Sequence, residues 1–144
     1  MWGIAAFLAV APCCGEEANE LAMVKAWVVG ICVLVAALLV WAVLLELETY
    51  SQSMAIILWL SPGAAAFVTA YLAPSHRFLL GTSMGISAAL LQVAFNAAWQ
   101  LQGHAVDFPG VAGAGILFTL TLAYATVLAS LGALVGYYLT RNSG

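Results

Sequence analysis

Three amide side chains recur at four-residue intervals within an otherwise apolar stretch of the sequence, residues 81–102. They are Gln92, Asn96 and Gln100. Residues four apart share one face of an α-helix, and an amide without a hydrogen bond in hydrocarbon costs several kcal/mol. The spacing therefore predicts a helix whose amide face, called here the amide ladder, is turned toward protein or water and not toward lipid.

The amide ladder has two interpretations. In the first, which we favour, the amides form hydrogen bonds between helices or subunits, each contributing ~0.6 and up to ~2 kcal/mol. In the second, the same face lines a polar cavity for a small solute. Gln100 lies closest to the end of the apolar stretch and is the least constrained of the three. The predicted partners of the ladder are hydroxyl-bearing residues on other segments: Ser61, Thr119, Tyr124 and Thr126.

Carboxylate and imidazole side chains form a second polar set, which consists of Glu46, Glu48, His104 and Asp107. Such groups bind divalent cations, but Glu46 and Glu48 are two residues apart and diverge. We therefore predict solvated loop charges and no metal site. Nor do the cysteines show a metal-binding or redox spacing, and no cofactor is predicted; they are Cys13, Cys14 and Cys32.

Catalytic motifs are missing from the sequence. It contains no metalloprotease helix motif, no glycine-rich phosphate loop and no Cys/His dyad. The apolar segments also lack a charged residue at mid-depth, where proton relays and ion-coupled carriers usually have one. The sequence therefore argues against proton pumping and against catalysis within the membrane.

The elements that carry these residues are strongly apolar. The chain has 144 residues, of which 65% are hydrophobic and 6% are charged, whereas a soluble domain has about 25% charged residues. A membrane-spanning helix needs ~20 apolar residues. We predict an all-α integral membrane protein, a bundle of four transmembrane helices with up-down connectivity, with spans at about 26–45, 54–73, 78–101 and 111–139.

Residues 1–22 do not fit this pattern. Their apolar part, 2–11, is too short to span. It also lacks the basic start of a signal peptide, and Pro12 follows its one cleavage-like site. We predict an interfacial or re-entrant arm, followed by a solvated acidic patch, and a transmembrane domain over 23–144. The alternative is that translation starts at Met23.

Small residues and one proline predict how the helices pack. Small residues allow close helix approach in membranes, and they are prominent at Gly81, Gly85, Gly132 and Gly136. Pro62 predicts a kink in the second span. Ser75 is a candidate cap for the third helix, and Ser51 or Ser53 for the second. The fourth span carries a small and hydroxyl face formed by Thr119, Ala123, Thr126 and Ser130.

Charge predicts the orientation. All the basic residues, Lys25, Arg77 and Arg141, fall on one side of a four-span bundle, and the loops on the other side are acidic. The positive-inside rule then places both termini in the cytoplasm of a multi-pass protein of the bacterial inner membrane. Three scattered basic residues do not form a nucleic-acid-binding surface.

These observations predict a non-catalytic accessory or structural membrane protein. Its surroundings would be the lipid bilayer and either further copies of itself or a larger membrane complex. The runner-up is a channel or facilitator for a small neutral solute. Its path would follow the third helix, the kink at Pro62 and the hydroxyl face of the fourth span. An enzyme is a distant third.

Overall fold

The computed structural model describes residues 14–47, 55–107 and 109–142. They form four α-helices, α1 (Cys14–Glu46), α2 (Ala55–Leu72), α3 (Arg77–Leu101) and α4 (Gly110–Asn142). Each is long and apolar enough to cross a membrane. This confirms the predicted all-helical fold with four helices that are able to span a membrane. Most of the predicted N-terminal arm, and the predicted caps Ser51 and Ser53, lie outside the described residues.

The helix bounds match the predicted spans in α2, α3 and α4 and differ in α1. The first helix begins at Cys14, not at Ala26, so the predicted domain boundary at residue 23 falls inside it. Helices α1 and α4 have 33 residues each, or about 50 Å at the usual rise. That length exceeds the ~30 Å hydrocarbon core, and the exposed Glu17 and Glu20 lie in the N-terminal turns of α1.

Helices α2 and α3 form the centre of the bundle, since each contacts all three other helices. Helices α1 and α4 lie on opposite sides of this central pair and share no contact among the described residues. The amide ladder therefore belongs to one of the two most surrounded helices.

Small residues bring α4 close to α2 and α3. Ala125, Ala129 and Ala133 are fully buried and follow each other at four-residue steps. A Cβ atom on Gly132 would collide with the carbonyl oxygen of Gly63, and one on Gly81 would lie 2.6 Å from the Ala133 methyl group. Backbones can approach this closely only where side chains are absent or very small.

Helix α1 packs tightly at one end and loosely at the other. Ala26, Gly30 and Leu34 are buried along one stripe of α1. Farther along the same stripe, Trp41 and Leu45 are only half-buried. Burial of this face of α1 therefore decreases toward the C-terminal end of the helix.

The turn between α2 and α3 differs from the predicted cap. The N-cap residue is His76, in the left-handed conformation (φ 47°, ψ 30°) and without a side-chain cap bond. The Ser75 hydroxyl instead accepts a 3.3 Å hydrogen bond from Asn19 Nδ2 and donates one of 3.1 Å to Met23 Sδ. The prediction that Ser75 caps α3 is therefore wrong, because this hydroxyl joins the turn to α1.

Candidate functional site: the amide cavity

Two members of the amide ladder face a common cavity. Gln92 and Asn96 are half-buried and line a space of about 270 Å³, called here the amide cavity. All four helices and the α3–α4 loop contribute to its wall. The other lining residues are Trp41, Leu45, Leu58, Phe95, Trp99, Ala105, Val106, Asp107 and Leu117.

The third amide is placed differently. Gln100 is exposed and is not among the residues that line the cavity. Since α3 ends at Leu101, this side chain lies within the last turn of the helix. The structure thus brings Gln92 and Asn96 together with Asp107 and leaves Gln100 outside.

Aromatic rings form one side of the amide cavity. The ring of Phe95 stacks on that of Trp99 with centroids 5.5 Å apart, and Trp99 stacks on His104 at 4.2 Å. The C-terminus of α3 fixes this arrangement. The Gly103 N–H donates to Gln100 O (3.0 Å) and the His104 N–H donates to Trp99 O (3.4 Å).

These two bonds, with Gly103 at φ 87°, make a Schellman motif. In this motif the residue two positions beyond the helix cap packs on the last full turn. Here that residue is His104, and the last turn presents Trp99. The helix ending therefore places the imidazole over the indole and folds the α3–α4 loop across the cavity.

Two acidic residues lie at or near the amide cavity. Asp107 is exposed and contributes a carboxylate to the lining. Beside it, His104 Nε2 lies 3.6 Å from Glu46 Oε1, and both side chains are well exposed. Such a surface pair stabilises little and carries an ionic attraction only when His104 is protonated. Among the described residues no group of three or more metal-binding side chains occurs; Glu48 lies outside them.

The amide cavity is closed toward the rest of the bundle. Of the α3 residues that line it, Gln92 lies nearest along the helix to Arg77. The next turns of α3 toward Arg77 carry Ala89, Ala88 and Gly85, which are buried in the small-residue core. The cavity is therefore a pocket at one end of the bundle, lined by amides, rings and a carboxylate.

The predicted partners of the ladder lie elsewhere. Thr119 is exposed and donates to Gly115 O at 2.9 Å. The Thr126 backbone lies against Gly85, and Tyr124 stacks on Trp59 with centroids 5.0 Å apart. The buried stripe of α4 is the alanine face, and the predicted hydroxyl face, with Thr119 and Ala123 exposed, lies beside it.

Ser61 has a partner within its own helix. Helix α2 continues across Pro62, which has no N–H to donate to the carbonyl of Leu58. The Ser61 hydroxyl donates to that same oxygen at 2.7 Å. Ser61 thus supplies the hydrogen bond that Pro62 removes, as hydroxyl side chains do in membrane helices.

The residues of the site that the sequence did not reveal are the aromatic ones. In the sequence these residues are typical of apolar or interface positions, and only the fold brings them to one cavity. They are Trp41, Phe95 and Trp99. One usable signal is Gly103, which follows the last apolar turn of α3 as a C-terminal glycine does.

No family model matches the chain, and no curated protein and no solved structure gives a significant match to it.

Proposed function

We propose that the protein is a non-catalytic membrane subunit that assembles with further copies of itself or with a larger membrane complex. The observation that carries the proposal is the closed small-residue interior. Ala66, Ala89 and Ala129 are fully buried at the centre of the bundle, so a single chain offers little room for a polar path or for buried chemistry. The amide cavity lies at one end of the bundle, where a partner can reach its polar groups.

The proposal includes up-down connectivity with both termini in the cytoplasm of a bacterial inner membrane. Two contacts support the up-down connectivity. Asn19 near the start of α1 bonds to Ser75 in the α2–α3 turn, and Glu46 at the end of α1 faces His104 in the α3–α4 loop. The basic residues belong to the first of these two ends, and basic residues favour the cytoplasmic side.

The amide cavity would then be an assembly site. A half-buried amide at the edge of a bundle can bond to a polar side chain of a neighbouring subunit, at ~0.6 and up to ~2 kcal/mol for each contact. We expect the purified wild-type protein in mild detergent to run as an oligomer or with a partner. Asn96→Leu should shift it toward the monomer. The measurement is size-exclusion chromatography with light scattering.

Gln100→Leu is the matched control for that experiment, because Gln100 continues the same ladder but lies outside the cavity. It should leave the assembly unchanged. A wild-type protein that is monomeric and without partners across a range of mild detergents would contradict the proposal.

The amide cavity itself favours a second candidate function, the binding or facilitated passage of a small polar solute. About 270 Å³ approaches the lower limit of ordinary ligand pockets, ~300 Å³, and amides beside aromatic rings suit a small guest. Passage would require the core beneath Gln92 to open. Liposomes containing the protein should then take up glycerol or urea faster than empty liposomes. Equal rates would leave assembly as the favoured function.

A further inference from the structure

A groove with basic walls lies at the end of the bundle opposite the amide cavity, between the α2–α3 turn and the end of α4. Its volume is about 510 Å³. Arg77, Arg141 and His76 line it, together with the apolar or amphipathic side chains of Phe78, Leu79 and Tyr137. We call it the basic groove. It collects two of the three Lys and Arg residues of the chain.

Within the described part of the chain, the two arginines have no carboxylate beside them. Arg77 donates from Nε to Ala73 O at 2.7 Å, which fixes the guanidinium and leaves its terminal nitrogens for another acceptor. Arg141 is exposed. No carboxylate of the described residues lines the basic groove or pairs with either arginine. Two guanidinium groups on one groove favour an anion with several oxygens.

A second groove continues from the first along the surface of α3 and α4. It has a volume of about 430 Å³, and Leu79 lines both grooves. Its walls are almost entirely apolar, and we call it the apolar groove. From Leu79 to Ile86 it follows α3 for about 10 Å. The other residues that line it are Thr82, Ser83, Leu122 and Thr126.

We propose that the two grooves together bind one anionic phospholipid. The phosphodiester lies between Arg77 and Arg141, and an acyl chain follows the apolar groove past Ile86. Guanidinium groups bind phosphate through paired, charge-assisted hydrogen bonds, and basic pockets between membrane helices are suited to anionic headgroups. Tyr137, which lines the basic groove, is of the type that lies at the level of the headgroups.

The apolar groove identifies the anion as a lipid and not as free phosphate. A soluble phosphate would contact only the basic groove. It would gain no binding energy from the apolar groove, which begins at Leu79. A lipid fills both parts at once, so its retention depends on the arginines and on Ile86. This inference does not depend on the proposed assembly function.

The test uses the full-length protein in detergent with equal amounts of phosphatidylglycerol and phosphatidylcholine. After washing, the lipid that stays on the protein is quantified by mass spectrometry. We expect enrichment of phosphatidylglycerol, falling about 5-fold in Arg141→Gln and again by a similar factor in Arg77→Gln/Arg141→Gln. Lys25→Gln removes the third Lys or Arg side chain of the protein, which lies outside the groove, and should change nothing.

Two further arms separate the sources of the phosphate. Ile86→Trp narrows the apolar groove without altering charge and should also lower the retention of phosphatidylglycerol. Inorganic phosphate or glycerol phosphate at millimolar concentration should compete weakly. Full displacement by either ion, with no effect of Ile86→Trp, would overturn the lipid assignment.

Two other results would overturn the proposal. One is equal retention of the two lipids by the wild-type protein. The other is a loss in Lys25→Gln as large as that in Arg141→Gln, since it would show a general effect of charge. Arg141 is exposed near the end of α4, so its substitution keeps the test open even if the Arg77 variant fails to fold.

Discussion

Pro62 leaves the Leu58 carbonyl without its usual donor, and the Ser61 hydroxyl takes that place at 2.7 Å. Ser61 and Pro62 are both buried, so water cannot substitute. The two residues are therefore energetically coupled, because the serine is needed only while the proline is present. A neighbouring pair of this kind is suited to a double-mutant cycle.

We predict that Ser61→Ala lowers the free energy of unfolding by ~0.6 to ~2 kcal/mol, the range for a hydrogen bond inside a membrane protein. In a Pro62→Ala background the backbone N–H returns, and the same substitution should cost close to nothing. Reversible unfolding in mixed detergent micelles measures both differences. Equal costs in the two backgrounds would contradict the coupling.

Thr69 and Thr82 differ in whether the buried hydroxyl has a hydrogen-bond partner. Thr69 is fully buried and donates to Ala65 O at 2.8 Å. Among the described residues, the Thr82 Oγ1 is buried and has no hydrogen-bond partner. Removing a paired hydroxyl loses a bond, whereas removing an unpaired one relieves a desolvation cost.

Valine substitution should therefore separate the two sites. Thr69→Val is expected to lower the free energy of unfolding by ~0.5 to ~1.5 kcal/mol, while Thr82→Val should be neutral or stabilising. Threonine and valine side chains have nearly the same shape, so each substitution conserves the packing. A loss in Thr82→Val as large as that in Thr69→Val, measured by the unfolding assay above, would show that the Thr82 hydroxyl has a partner in the membrane.

At the scale of single residues, the sequence predicts which residues share a helix face. It does not predict which residues of other helices lie against that face. The four-residue step placed Gln92 and Asn96 on one side of α3, and the structure brings both to one cavity. The four-residue spacing gives no indication that Trp41, on α1, lines the same cavity as these two amides. Periodicity describes a single helix, whereas a wall made by several helices depends on how far each side chain holds the next helix away.

Among the helices, glycine positions decide how closely α2 and α4 pack. Gly132 faces the carbonyl of Gly63, where a methyl group would collide with the backbone. Gly115, in the same helix, has no neighbouring atom within 4 Å of an added Cβ. The two glycines are therefore a matched pair, one within a helix contact and one outside it.

Gly132→Ala should force α4 away from α2 and cost ~1 to ~3 kcal/mol, as overpacking does. Gly115→Ala should cost nothing or gain up to ~1 kcal/mol through helix propensity. Thermal unfolding of the two variants beside the wild-type protein gives the comparison. Equal stability of the two variants would mean that this helix contact is absent in the bilayer.

The helix bounds were largely predictable, and the packing faces only in part. Long uncharged runs locate α2, α3 and α4, because a spanning helix must exclude charge. The start of α1 at Cys14 was not predicted, since its first turns include Glu17 and Glu20 and read as a solvated linker. On α4 two adjacent faces carry small residues, and only the position of α2 and α3 selects the one with Ala125 and Ala129.

For the whole molecule, charge asymmetry gives the orientation prediction. We expect a fluorescent protein fused after Gly144 to be fluorescent, because it would fold in the cytoplasm. Alkaline phosphatase inserted after Gly103, in the α3–α4 loop, should be active, because that enzyme folds only after export. The physical reason is that the Lys and Arg side chains resist translocation. An exported reporter after Gly144 would contradict the orientation.

Total composition thus predicts the class of the protein, and local periodicity predicts which helix carries its polar face. The closed interior was not predictable. It depends on the meeting of alanine stripes from α2, α3 and α4, such as Ala66, Ala89 and Ala129, and each stripe alone is common in membrane helices. The sequence alone does not show where three such stripes meet.

The position of α2 has a consequence for the surrounding lipid. Its 18 residues extend about 27 Å, and its contacts with all three other helices keep it from tilting on its own. Exposed Ile56, Trp59 and Leu72 face outward near its two ends. The described part of α2 thus covers most of a bilayer core of ~30 Å, and lipid beside it adjusts to any difference at a fraction of a kcal/mol per Å. Mismatch of this kind sorts proteins by membrane thickness, so acyl-chain length should affect where the protein concentrates.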